Sequence, residues 1–326
     1  LLNSYICALC ELMQDKSSAA HTIFVLGAGS IGVSFAATFA DCGANVCLID
    51  PDAERRSGVQ AMLAMQQDAI TTAGLARNHG GTVTTAASAG EGLASADLVL
   101  ECGPENLSIK QAIFADLLGK TAPTTILATA SSAITISRIV PDEHDQHRCL
   151  VAHPVNPPSV LRVIEIVPAP GTDHAIADAA SRLFRSTGFE TVALDHEIEG
   201  FVLNRLQGAV LREAYRLIDE GVTDVAGIEA IMRMGLGPRW ALSGPFETAE
   251  LNTPGGIKAH AARMGPAYKR IGEARGETVE WSDALVESVD TQRRKAVPAE
   301  KLADRAKWRA QAVAHLVAAR DKLMQD

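Results

Sequence analysis

Residues 23–50, IFVLGAGSIGVSFAATFADCGANVCLID, decide the fold. Ile23–Leu26 is an apolar run with no polar interruption, the pattern of a strand buried on both faces. Gly27, Gly29 and Gly32 then punctuate the chain, and Ile31–Cys42 continues as a helix-like stretch of small and apolar residues. After Gly43 a second apolar run, Val46–Ile49, is closed by Asp50. Strand, glycine-rich turn, helix and strand in that order form the dinucleotide fingerprint. The glycines permit a tight turn and let a pyrophosphate approach the helix N-terminus. Gly27, Gly29, Ser30, Ile31 and Gly32 are therefore candidate cofactor contacts. Asp50, 23 residues beyond Gly27, is placed to bind the adenosine ribose hydroxyls. A carboxylate there repels a 2′-phosphate, so NAD is expected over NADP. Arg55 and Arg56 follow closely and could accommodate that phosphate, but the acid should dominate. The competing reading is a plain glycine turn with Asp50, ahead of Pro51, capping the next helix.

Outward from this segment, short β-like runs alternate with helical stretches as far as about Asp195. The runs are Ile23–Leu26, Val46–Ile49, Val83–Thr85, Leu98–Glu101, Thr125–Ala128, Cys149–Ala152, Val163–Val167 and Thr191–Leu194. Helical stretches fall at Ile31–Cys42, Ala53–Ala73, Ile109–Leu118 and Ala175–Thr187. The alternation predicts an α/β, Rossmann-type, doubly wound and mostly parallel sheet. After Glu199 strand signals vanish and helical periodicity takes over, from Phe201 through Leu206 and Val210 to Ile218. Further helices are expected at Asp224–Met234, Arg239–Leu251, Ile257–Glu273 and Pro298–Met324, with Gly276–Val297 as an exposed connection. The division expected is thus a dispensable extension over 1–20, a dinucleotide-binding domain over 21–198 and an all-α substrate and dimerisation domain over 199–326. Met13 is the expected natural start.

The chain has 326 residues, 47% of them hydrophobic, enough for a sizeable core and most simply two domains. A formal net charge of −9 argues against nucleic acid or an anionic membrane as the main partner. No apolar run reaches the roughly 18 residues of a membrane span. The six cysteines mostly sit inside apolar runs, as free thiols of a reducing compartment do, and a cytoplasmic location is expected. Cys7-x-x-Cys10 has no second pair, and His144-x-x-His147 has no supporting acid cluster, so no metal is expected.

A second informative stretch is HPVNPPSVLRVIE, residues 153–165. His153 closes an apolar run, a proline-rich segment that cannot be helix interior follows, and a new apolar run carries Glu165 in its middle. A carboxylate inside such a run needs a partner, and His153 at the mouth of the preceding strand is one. Such a pair holds the imidazole in one tautomer and stabilises its protonated form. The competing reading is two strand residues that never meet. At the end of the fourth run, Glu105 and Lys110 are candidates for the nicotinamide side of a cleft, or else an acid and a lysine paired along one helix.

With these residues in hand, the chain resembles the L-3-hydroxyacyl-CoA dehydrogenase superfamily, and within it the lambda-crystallin and L-gulonate 3-dehydrogenase branch. The resemblance rests on VLGAGSIG, GPENLSIK, AHPVNPP, EGFVLNRLQGAVLREAYRLIDEGV, GLGPRWALSGPFET and KLADRAKWR, in the family's order from about Thr22 onward. It implies NAD-dependent oxidation of a 3-hydroxyl with His153 and Glu165 as the catalytic pair. It also implies a catalytic serine and an asparagine that contact the substrate, which map to Ser132 and Asn204. Ser131 is adjacent, and one inserted residue would shift the role to it. Arg239, at the family's substrate-facing turn, suits a free carboxylate, which implies a small free 3-hydroxy acid such as L-gulonate. The alternatives are Arg239 as a surface ion pair, an acyl-CoA thioester as substrate, and a non-catalytic, crystallin-like NAD-binding protein. The resemblance further implies a homodimer formed through the helical domain.

Overall fold

A computed structural model describes residues 20–276 and 282–305, with the single positions 308 and 319. The expected N-terminal extension, Met13, the Cys7/Cys10 pair and nearly all of the last expected helix beyond 305 lie outside the described residues. The chain divides into two compact units, Leu1–Val210 and Leu211–Asp326.

The first unit holds one eight-stranded sheet in the order β3-β2-β1-β4-β5-β6-β7-β8. The strands are β1 (Thr22–Leu26), β2 (Asn45–Ile49), β3 (Thr82–Ala86), β4 (Leu98–Glu101), β5 (Ile126–Thr129), β6 (Cys149–Pro154), β7 (Val163–Pro168) and β8 (Glu190–Ala193). Every neighbouring pair is parallel except β6 and β7. The all-apolar pattern has its cause here: every residue of LVLE in β4 and ILAT in β5 is buried, whereas TVTTA in the edge strand β3 is half to fully exposed.

Helices α1 (Ser30–Asp41), α2 (Ala53–Thr72), α3 (Leu107–Lys120), the short α4 (Ile136–Ile139) and α5 (His174–Ser186) cover the sheet. Phe35 and Phe39 of α1, Phe184 of α5 and Phe189 form one aromatic cluster, with ring centroids 5.4–6.5 Å apart. They belong to a core shared with Val25, Leu48, Leu100 and Ala128. A second core joins Phe114 and Leu117 of α3 with Ile136 and Ile139 of α4 and Val99, Leu127 and Val151. Alternate residues of one strand thus feed opposite layers. Because β1 lies between β2 and β4, successive crossovers leave it on opposite sides, and the carboxyl ends of β1 and β4 open the crevice where such sheets bind ligands.

Helix α6 (Leu203–Asp219) leads into the second unit, which contains α7 (Val225–Ile231), a π-helical turn (Met232–Leu236), α8 (Gly237–Trp240), α9 (Pro245–Leu251), α10 (Gly256–Ala274) and α11 (Asp283–Ala296). Two expectations fail. Arg239–Leu251 is not one helix: the chain breaks at residues 241–244, and Pro245 restarts it at an N-terminal position where a missing N–H costs nothing. Gly276–Val297 is not a connection, since most of it is α11. That helix hides from hydrophobic periodicity because it is tied down by charge: Lys258 of α10 meets Glu287 at 2.7 Å and Asp290 at 3.6 Å, and Arg293 reaches Glu250 of α9 at 3.1 Å. Among the described residues no helix is long and apolar enough to cross a membrane, and the described cysteines Cys42, Cys47, Cys102 and Cys149 are free.

Candidate active site

The glycine turn sits at the carboxyl end of β1, and each glycine has a distinct reason. Gly27 has φ +112°, and a Cβ there would lie 2.7 Å from the Cys102 carbonyl oxygen after β4. A Cβ on Gly32 would collide with the Gly27 carbonyl. Gly29 faces open space within 4 Å, and as the N-cap of α1 it supplies no side chain to its first turn. An uncapped helix N-terminus beside an open cradle fits a pyrophosphate. Asp50 is buried, its Oδ2 accepting the Ala28 N–H and its Oδ1 the Asp52 N–H, both at 2.9 Å. The cap of α2 is Asp52, which accepts from Glu54 and Arg55, so Asp50 is not the capping residue. Arg56 is spent on the Asp50 and Pro51 carbonyls, and Arg55 lies 3.7 Å from the Asp50 carboxylate.

In the segment Glu101–Asn106 at the end of β4, where the sequence suggests a second cofactor contact and singles out Glu105 and Lys110, the organising residue is Glu101. Glu101 is 0% exposed and Lys110 1%. The Lys110 ammonium donates to Glu101 Oε2 at 2.7 Å and lies 3.4 Å from Glu105 Oε2. Glu101 also accepts from the Gly103 N–H and the Thr129 hydroxyl, each at 2.6 Å. Lys110 is thus held inside the protein, and Glu105 is the group of the pair that reaches solvent. Glu105 Oε1 accepts from the Ser131 hydroxyl (2.5 Å) and from the backbone N–H groups of Ser132 (3.2 Å) and Ala133 (3.1 Å). Burial alone would raise the Glu105 pKa; the Ser131 hydroxyl, Lys110 and the Ala133 amide together hold it below the ordinary value.

His153 and Glu165 stand directly opposite each other in the β6–β7 register, and both are buried. His153 Nδ1 lies 2.7 Å from Glu165 Oε2. The other carboxylate oxygen accepts the N–H groups of Val202 (2.7 Å) and Leu203 (3.1 Å), at the start of α6. Burial opposes the charge on Glu165, but the bond to His153 and the two amides outweigh it, so its pKa lies below the ordinary carboxylate value. An ionised carboxylate can only accept, so Nδ1 carries the proton and Nε2 is left as an acceptor. The turn that aims these amides is costly. Gly200 has φ +79° and Phe201 φ +48°, a conformation worth roughly 1–2 kcal/mol of strain in a residue with a side chain. Phe201 is buried, its ring centroid 5.3 Å from that of His153.

Ser131 and Ser132 separate cleanly. Ser131 is buried; its hydroxyl donates to Glu105 and accepts from the Ile134 N–H at 2.8 Å. Ser132 is exposed and its hydroxyl makes no hydrogen bond among the described residues. Asn204, in the first turn of α6, donates through Nδ2 to the Ser132 carbonyl at 2.8 Å. Ser132, Asn204, Glu165 and His153 therefore belong to one connected set. Arg239 lies in the second unit, in a cavity of about 560 Å³ that it lines with Trp240, Phe246, Asn252, His260 and Tyr268. Its guanidinium makes no hydrogen bond or ion pair among the described residues.

A glycine cradle at the crevice beside β1, with a carboxylate after β2, defines an NAD-binding domain of the oxidoreductase class. Residues 22–198 match the 3-hydroxyacyl-CoA dehydrogenase NAD binding domain and residues 200–298 the C-terminal domain of the same enzymes. The chain belongs to the 3-hydroxyacyl-CoA dehydrogenase family, and its cofactor is NAD. It is 35% identical over 301 residues to lambda-crystallin of Oryctolagus cuniculus, covering 90% of this chain and 94% of that protein. It is 31% identical over 301 residues to an L-carnitine dehydrogenase of Streptomyces griseus, covering 91% and 86% respectively. Among solved structures, a 5-formyl-3-hydroxy-2-methylpyridine 4-carboxylic acid 5-dehydrogenase, described as an NAD⁺-dependent dismutase, matches with TM-score 0.68 and 25% identity, over 90% of this chain and 98% of that one.

Proposed function

We propose that this protein oxidises the hydroxyl of a small free L-3-hydroxy acid, with L-gulonate as the first candidate. The observation that carries the reading is the Nδ1 bond of His153 to a carboxylate locked by two helix amides. Bound NAD would supply the acceptor for the hydride that leaves the carbinol carbon. Neutral His153 takes the hydroxyl proton at Nε2, and Glu165 offsets the positive charge that forms on the ring. The Ser132 hydroxyl and the Asn204 side chain orient the reacting oxygen. Gly27, Gly29, Ser30, Ile31 and Gly32 cradle the pyrophosphate and Asp50 the ribose, with Glu105, held by Lys110, facing the nicotinamide side. The work divides between a sheet domain over 21–198 and a helical domain over 199–326.

Arg239 takes the substrate carboxylate. Its guanidinium lacks an internal partner among the described residues, which favours this role over a surface ion pair. Relatives named for L-carnitine, itself a 3-hydroxy acid with a free carboxylate, support the same substrate class. A thioester substrate is the second reading, favoured by a relative in Gibberella moniliformis named 3-hydroxyacyl-CoA dehydrogenase, 31% identical over 316 residues. A homodimer through the helical domain accords with the exposed apolar side chains there. NADH absorbance followed with L-gulonate, L-carnitine and L-3-hydroxybutyryl-CoA under matched conditions tests the reading. Turnover of a free acid above the thioester is expected; preference for the thioester would overturn it.

A further inference from the structure

One unbroken chain of contacts runs from the floor of the cofactor crevice to the proposed base. Glu101 holds Lys110 at 2.7 Å; Lys110 stands 3.4 Å from Glu105; Glu105 grips the Ser131 hydroxyl and the Ser132 and Ala133 amides. The Ser132 carbonyl then holds Asn204, which directly follows the Val202 and Leu203 amides that fix Glu165. The links run from β4 to α3, from α3 back to the loop that precedes it, from that loop to the turn after β5, from that turn to α6, and from α6 to β7. A fully buried carboxylate is expensive to keep unless its geometry does something an apolar side chain could not. All the bonds Glu101 accepts are short, and they converge from three directions: its own turn (Gly103), the neighbouring strand (Thr129) and α3 (Lys110).

We infer that Glu101 is a positioning residue for this site: by fixing the Lys110 ammonium it sets Glu105 against the Ser131–Ala133 turn and so fixes where Ser132 and Asn204 stand. The inference rests on the proposed roles of Ser132 and Asn204 only for its effect on turnover. Its structural half stands without them.

Removing the Glu101 charge alone would leave Lys110 buried with a weaker partner, so the decisive variant is the double change Glu101→Gln/Lys110→Met, which removes both charges at once. Four quantities are measured: hydrogen exchange of the Ala133 and Ile134 amides in the NAD-free protein, Tm, kcat, and the KM for NAD with whichever hydroxy acid is turned over. Exchange at Ala133 should rise about tenfold while β4 and β5 stay protected, the scale of one lost hydrogen bond to a charged group. The value of kcat should fall by a similar factor and the KM for NAD should rise, since Glu105 is proposed to face the nicotinamide side, with Tm near that of the parent. Unchanged exchange at Ala133 would overturn the inference. So would exchange that rises equally through β4 and β5, which marks a merely structural pair. Failure of the substrate reading would instead show as no turnover by the parent protein, leaving the exchange result to stand by itself.

Discussion

The two units put their buried charge to different uses. In the sheet unit the pair Glu101–Lys110 is wholly buried, and each partner is bonded on to further groups that line the candidate site. In the helical unit most ion pairs bridge helices near the surface, as where Arg275 joins Glu213 and Glu220 and Lys258 joins Glu287 and Asp290, while the buried Glu250 ties Arg293 and Arg294 of α11 to α9. Exposed pairs of that kind contribute little each, since water screens them. Large exposed apolar side chains occur in both units, Met65 at 71% among them, but are more frequent in the helical one. The central strands have no exposed side chain, whereas Tyr215 is 73% exposed, Met234 69% and Phe246 56%. The central sheet is a finished core, and the helical unit leaves more of its large apolar side chains open.

The comparison can be broken at several points. The largest effect belongs to His153→Asn, which should lower kcat by about 10²–10⁴ while leaving Tm close to the parent, because Glu165 keeps both of its helix amides. Near-normal turnover would remove the proton-acceptor role. Arg239→Met should raise the KM for a free acid about 10–100-fold with kcat little changed, the worth of a charge-assisted bond; an unchanged KM refutes the carboxylate clamp. Acid stability comes next. Glu165 and Glu105 are both held below the ordinary value of 4.5, so their contribution is complete above that pH and is lost as pH falls through their lower folded-state values. Denaturant titrations from neutral pH to pH 3 should therefore show a loss that Glu165→Gln makes shallower; an identical slope would mean that the carboxylate is not anchored as described. In the helical unit, Ile231→Lys with Met234→Lys should shift sedimentation from dimer toward monomer if those faces are the contact, with little change in the mass if they are not. The smallest effect is expected for Lys120→Ala, which removes the exposed pair with Asp116 and should move stability by less than about 0.5 kcal/mol.

Much of the sheet unit was readable from the chain alone because its signals are local. Gly27 to Asp50 lies in one stretch, and each of the eight apolar runs became a strand with ends displaced by a few residues at most. The antiparallel turn of β7 put His153 opposite Glu165, as the short proline-rich link between them allows. What the sequence hid lies in contacts between distant elements. Glu101 meets Lys110 nine positions on and Thr129 twenty-eight positions on, and no periodicity reports either. Its only visible sign was a charge ending an otherwise apolar run. Ser131 and Ser132 could not be told apart by counting, since burial and hydroxyl partners distinguish them. Helix α11 was missed for the opposite reason: DALVESVDTQRRKA carries little apolar stripe, and its partners on α9 and α10 hold it by charge.

The buried Asp50 has a consequence for anyone wishing to retool this protein toward the phosphorylated dinucleotide. The carboxylate proposed to disfavour a 2′-phosphate is also the acceptor for the Ala28 amide in the glycine turn and for the Asp52 amide at the entrance to α2. Replacing it with serine or alanine would remove the repulsion and unfasten the loop that receives the pyrophosphate in the same stroke. Asp50→Asn keeps an oxygen for one of those amides and sheds the charge, which makes it the conservative first substitution for switching coenzyme preference. A second change that refastens the remaining amide would have to accompany it.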